Sequence, residues 1–162
     1  MRASSTGTTW LPVEAAGDTA LDRVFGLTPA AYADFRQVDA ALWDPARVDP
    51  ALTELCRLRI AQLIGCDAEL GVRHDQARAA GLTEEKIAEL RQWPTSPRYS
   101  DIDRAVLNFA EKFVIDASSV DDDDCRALRA HLGDPEIAAL TTAVAVFDAM
   151  ARFRVALGIG GA

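Results

Sequence analysis

At 162 residues and 49% hydrophobic side chains, the chain is long enough for one domain with a real core and too short to expect two. Its 17 Lys and Arg against 25 Asp and Glu leave a net charge of −8. Such a surface repels phosphate backbones, so nucleic acid is excluded as an expected partner. Cys56, Cys66 and Cys125 are odd in number and irregularly spaced, unlike a secreted disulfide framework.

The polar stretch 1–9 has no apolar core of a secretory signal. The longest charge-free apolar run, 137–147, has 11 residues and is too short to span a bilayer. A cytoplasmic location with no membrane contact is expected. Residues 1–17, rich in Ser, Thr and Gly, read as a tail or an arm over a neighbour, and 18–162 as a single helical domain.

Beyond this arm the chain repeats one kind of punctuation. Thr28-Pro29, Asp49-Pro50 and Asp134-Pro135 each set an N-cap residue before a proline suited to the first helical position. Gly81 stops one helix, and Thr83-Glu84-Glu85 opens the next with acid at its positive end. Ser100 and Asp103 form a capping box with Asp in place of Glu. In the helix that follows, Ile102, Val106, Phe109, Phe113 and Val114 make one apolar face. The run of Asp121 to Asp124 reads as a solvated first helical turn, lacking the alternation and central Gly of a calcium loop. The last helix is apolar all round and needs cover from the core or a partner subunit. No stretch alternates as a strand does, so the fold class is all-α. About seven helices are predicted, near 29–42, 50–65, 66–80, 83–91, 101–115, 121–132 and 135–157.

The chemistry concentrates in 54–85, ELCRLRIAQLIGCDAELGVRHDQARAAGLTEE. A Glu (Glu54) precedes an Arg-rich helix, the pair Gly65-Cys66, then Glu69 and an Ala-rich segment ending at Leu82. This order resembles the core motif of the carboxymuconolactone decarboxylase and alkylhydroperoxidase D family. The stretch 147–159, FDAMARFRVALGI, resembles the family's last helix, where Asn often stands at the place of Asp148. The resemblance covers about the last two-thirds of the chain. It implies an alkylhydroperoxidase D-like helical fold, a site marked by Glu54, Cys66 and Glu69, and assembly as a homotrimer or homohexamer.

Two positions depart from the family's redox pattern. Glu69 stands where peroxidase-type members carry a second cysteine, so Cys66 cannot form their internal disulfide. Cys56 is ten residues from Cys66, roughly 15 Å along a helix and beyond disulfide reach. The family's histidine, which acts in proton transfer, falls at Arg73, with His74 beside it. On a continuous helix Arg73 returns to within roughly 20° of Cys66 and 40° of Glu69, while His74 points about 80° and 140° away. Arg73, always protonated, would then bind an anionic substrate or pair with Glu69. Arg57 and Arg59 read as structural residues or as counterions to Glu54 and Glu69.

Three functions remain open at this point. One is a peroxidase-like oxidoreductase in which Cys66 works with an external thiol reductant, with Glu54, Glu69 and His74 as catalytic candidates. Another is a lyase or isomerase on a small carboxylate, held by Arg73 while Glu54 or Glu69 moves a proton. The third is a helical oligomer without catalysis, Cys66 being a buried thiol beside a Glu69–Arg73 pair. No cofactor is implied, and with only His74 and His131 available no histidine-based metal site is expected.

Overall fold

The computed structural model describes residues 9–11 and 17–160, which form α-helices and short 3₁₀ turns with no strand among them. The helices are α1 (Ala20–Phe25), α2 (Pro29–Leu42), α3 (Pro50–Ile64), α4 (Asp67–Leu70), α5 (Asp75–Ala79), α6 (Glu84–Ala88), α7 (Asp101–Asp116), α8 (Asp122–Arg129) and α9 (Asp134–Ala156). None of these helices is long and apolar enough to cross a membrane.

The centre of the molecule is α3. Asp49 caps it by accepting the Ala51 N–H at 2.8 Å, and Pro50 occupies the first turn, where no N–H is needed. Gly65, at φ +75°, ends it in the left-handed conformation that favours glycine. Helices α7 and α9 pack against α3, and α4 and α5 cover it further. Cover on so many sides explains why Leu52, Leu55, Cys56, Leu58, Ile60 and Ala61 are all buried. The polar residues Thr53, Glu54 and Arg57 are buried with them.

Cover on most sides was expected for the last helix, from the core or a partner subunit; within this chain the helix covered on most sides is α3. Helix α9 buries Leu140, Ala143, Val144, Phe147 and Ala151 and exposes Thr142, Ala145, Ala149 and Val155. The predicted caps hold at Asp49, Thr83 and Ser100. Thr28 makes no side-chain cap, and Asp134 is the first helical residue behind Gly133, whose N–H reaches the Glu136 carboxylate at 2.7 Å. Asp121 caps α8, and Asp124 turns inward to Lys112 Nζ at 2.6 Å and Asn108.

Most of the predicted arm, 1–8 and 12–16, lies outside the described residues. The part described packs on its own chain: Thr9 Oγ1 and the Trp10 indole donate to the carbonyls of Leu157 and Ala156. Helix α1 was not predicted, being only six residues long. It begins with a capping box between Thr19 and Asp22, and Ala20 and Val24 form a small cluster with Ile159.

The largest departure is the predicted helix over 66–80. It breaks into α4 and α5, separated by the non-helical segment 71–74. The cause lies in α3, whose side chains take the backbone groups a helix would use internally. Arg57 Nη1 and Nη2 donate to the carbonyls of Glu69 and Val72, each at 2.8 Å. Glu54 accepts the N–H of His74 at 3.4 Å. Two buried charges thereby peel the chain off the helical path.

Candidate active site

Arg57 organises this end of α3. Its Nε and Nη2 donate to the two oxygens of Glu54 at 2.8 and 2.9 Å, one helical turn earlier. Its Nη1 reaches Glu69 Oε2 at 2.6 Å. Burial disfavours the guanidinium charge, but the hydrogen bonds and charges of Glu54 and Glu69 outweigh it and hold Arg57 above its ordinary pKa. Glu54 itself is 0% exposed, and both its oxygens are taken up by Arg57 and the His74 amide. The second oxygen of Glu69 meets Arg154 Nε of α9 at 2.6 Å. Glu69 is thus gripped between two arginines.

Above this floor opens a cavity of about 340 Å³. Arg57, Glu69, Val72 and His74 line one side, Phe147, Met150 and Arg154 of α9 another, and Tyr32, Phe35, Arg36 and Asp39 of α2 the third. The helical spacing of each set explains the shared face: 32, 35, 36 and 39 along α2, and 147, 150 and 154 along α9. At the rim the Tyr32 hydroxyl donates to Asp22 at 2.5 Å, holding that carboxyl below its usual range.

His74 reaches the cavity because the chain there is extended rather than helical. Its ring stacks on the buried Trp43 indole, centroids 3.6 Å apart and planes 11° from parallel. Burial, followed by the Arg57 charge, pushes the imidazole pKa down, so His74 is neutral at pH 7. Its ring nitrogens make no hydrogen bond to a described residue. At Asp39 burial, reinforced by the Glu69 charge, pushes the carboxyl up. Two different walls therefore carry an imidazole held below its usual pKa and a carboxyl that keeps its proton more readily than usual.

Cys66 is 2% exposed and lies behind the cavity wall instead of lining it. Burial raises its thiol, while the amides of Glu69 and Ala68 and the charge of Arg154 pull the other way. All three cysteines are free; Cys56 is deep in the core with its thiol pushed up to about 12, and Cys125 is exposed on α8. Among the described residues no group of three or more His, Cys, Asp or Glu is placed to hold a metal ion.

Arg73 departs from its expected place. The break at 71–74 removes the face it was to share with Cys66 and Glu69, and its guanidinium turns to the carbonyls of Leu70 and Val72 and to Glu84 at 3.2 Å. It does not line the cavity. The same break reverses the expectation for His74, which faces the cavity with Glu69. Arg57 is the counterion of both glutamates, whereas Arg59 pairs with Glu111 at 2.5 Å.

The sequence model of the carboxymuconolactone decarboxylase family matches residues 29–112, from the start of α2 into α7. The chain belongs to the carboxymuconolactone decarboxylase family. Among its curated relatives are YnjA of Escherichia coli K12, 28% identical over 69% of this chain and 62% of that protein. YdfG of Bacillus subtilis 168 is 26% identical over 65% of this chain and 72% of its own length; both are uncharacterised. This chain thus spans less than two-thirds of YnjA. The fold is alkylhydroperoxidase D-like. It superposes with a TM-score of 0.75 on ATU0492 of Agrobacterium tumefaciens, a protein of unknown function for which an AhpD antioxidant-defence role has been suggested. That match is 23% identical and covers 86% of this chain and 95% of the other. A peroxidase-related protein from Silicibacter sp. TM1040, also uncharacterised, superposes at 0.72 with 15% identity, covering 98% and 94% of the two chains.

Within this family frame, sequence reasoning missed Asp39, Trp43 and Arg154. Arg154 had a signal, standing seven residues after Phe147 in the segment that resembles the family's last helix. Asp39 and Trp43, one turn apart on α2, belong to no motif; only the fold of α2 over the cavity brings them in.

Proposed function

We propose that this protein is an acid–base enzyme, a lyase or isomerase, acting on a small molecule that carries a carboxylate. One observation carries the reading: the cavity presents Glu69 and a neutral His74 beside arginine, while the Cys66 thiol lies behind the wall. Every N–H of Arg57 is already engaged, so it positions Glu69 and is not left to bind an anion. Arg154 is different. Its terminal nitrogens make no hydrogen bond to a described residue, and it lines the cavity together with Arg36. A substrate carboxylate held there sets its neighbouring carbon before His74, whose neutral ring is suited to take up a proton.

Small monocyclic carboxylates such as benzoate are expected to raise the melting temperature. A ligand at a hundredfold excess over Kd adds about 2.7 kcal/mol of stability. Arg154→Gln is expected to abolish the shift and Arg73→Ala to keep it. Loss in Arg73→Ala with retention in Arg154→Gln would sink this reading.

A second reading is a one-cysteine peroxidase. What favours it is the pair of amides and the Arg154 charge directed at the Cys66 thiol, together with the peroxidase-related and antioxidant descriptions of two proteins of the same fold. The thiolate would attack a hydroperoxide, giving a sulfenic acid and an alcohol. Two equivalents of an external thiol would then return the thiol, with release of water and a disulfide. Trapping with a sulfenic-acid probe after mild peroxide is expected to label Cys66 and not Cys66→Ser. An unlabelled wild type, with Cys125 replaced by Ser to remove the exposed thiol, rejects this reading.

A further inference from the structure

Three carboxylic acids crowd this end of the molecule, and they are not equivalent. Glu54 is locked into a two-bonded pair with Arg57, and Glu69 is gripped by Arg57 and Arg154. All four of their oxygens are thereby engaged by guanidinium groups. Asp39 forms no ion pair with a described residue, although it lines the same cavity and is half-buried. The groups facing it from the packed elements are Glu69 of α4, Arg57 of α3 and His74 ahead of α5, with Trp43 on its own helix. Trp43, four residues after Asp39, stacks its face on His74, and its buried Nε1 has no hydrogen-bond partner among the described residues.

We propose that Asp39 is the proton donor of this site, brought to the cavity by α2 and set on a different wall from His74. The inference rests on the acid–base reading of the cavity. A free ring nitrogen of His74 takes a proton from the substrate carbon, and the electron pair left behind moves along the substrate. Asp39 gives its proton to the atom that receives those electrons. Imidazolium and carboxylate result, the number of protons in the site and substrate together is unchanged, and exchange with solvent restores both groups. No oxidant or reductant is needed.

The direction of the Asp39 shift supports this division of labour. A carboxyl whose pKa is raised on folding contributes stability below its ordinary value of 3.8 and loses it as the pH rises through the raised value. Asp39→Asn is therefore expected to melt higher than the wild type at pH 7, the gap closing as the pH is lowered. The deciding experiment pairs a carbon-13 carboxyl titration of the full chain with benzoate binding at pH 5 and pH 8. The Asp39 resonance, assigned by its absence from Asp39→Asn, is expected to titrate above the ordinary range. Benzoate is expected to bind several-fold more weakly to wild type at pH 8 than at pH 5, and Asp39→Asn to lose that drop. Titration in the ordinary range, or the same pH dependence in both proteins, overturns the assignment. If benzoate binds neither protein while Asp39 titrates high, the carboxylate-substrate reading fails and the proton donor stands.

Discussion

Replacing Arg57 by methionine is expected to lower stability by about 3–5 kcal/mol, the loss typical of removing one partner from a buried ion pair. Among the described residues no other cation pairs with Glu54, which has no exposed surface. The carbonyls of Glu69 and Val72 would each lose one of two donors as well, keeping the Val72 amide and Arg73 Nη1. Urea denaturation of the two proteins checks the figure, and a difference under about 1 kcal/mol, the ordinary scale of an exposed pair, would show that the pair is solvated in solution. Lysine is expected to recover little. Its single ammonium cannot reproduce the planar fork that serves two glutamates and two carbonyls at once. The double variant Arg57→Met with Glu54→Leu is expected to regain part of the loss, because a buried pair replaced on both sides leaves no uncompensated charge. The recovery stays partial, since Glu69 still lacks the Arg57 guanidinium and each carbonyl one of its donors.

Trp43→Ala is expected to cost a similar amount, about 3–5 kcal/mol, as large aromatic truncations in a core do. The indole is buried at the end of α2, against His74 and, tilted, against Phe147. Its loss opens a void and lets water reach the imidazole. His74 is held below its ordinary pKa chiefly by burial, so the stability tied to it is present above the ordinary imidazole value of 6.5 and lost as the pH falls through the lowered one. Removing the indole is expected to move the His74 titration up toward 6.5 and to reduce this acid sensitivity. Proton NMR checks it simply, because His131 provides the other imidazole signal and is exposed on the surface. An unmoved His74 titration would assign the lowered value to Arg57 instead of to burial.

The comparison of sequence with structure divides along physical lines. Proline and Asx punctuation located α3, and serine with Asp103 located α7, because caps are local chemistry read within four residues. Glu54, Cys66 and Glu69 were marked by the family resemblance of their order; the structure joins the two glutamates through Arg57 and sets Cys66 behind the cavity wall. What misled was the segment after Cys66. Its composition, with Ala68, Glu69 and Leu70 followed by the Ala-rich 77–80, favours helix. The break is imposed by Arg57 and Glu54, residues far enough back that no local window includes them. That single override moved Arg73 out of the site and His74 into it. Arg57 was read as structural or as a counterion to the glutamates, and it is their counterion; its burial was not legible, since a charge in a helical pattern gives no sign of being inside.

Helix α2 supplies one wall of the cavity yet has no buried residue of its own. Its hold on the body comes from Trp43 at its end and from the stacking of Phe25 with Tyr32, Phe35 and Phe153. Substitutions on such a helix usually change stability by within about 0.5 kcal/mol, whereas the opposite wall of α3 and α4 is tied into the core by Arg57. The two sides of the cavity are therefore free to change at different rates. A residue that lines the cavity from α2 without joining that stack, such as Arg36, can be exchanged without endangering the fold, while the glutamates and Arg57 cannot. In a lineage of such proteins, the cavity is most readily reshaped at the exposed positions of α2, over an unchanged floor.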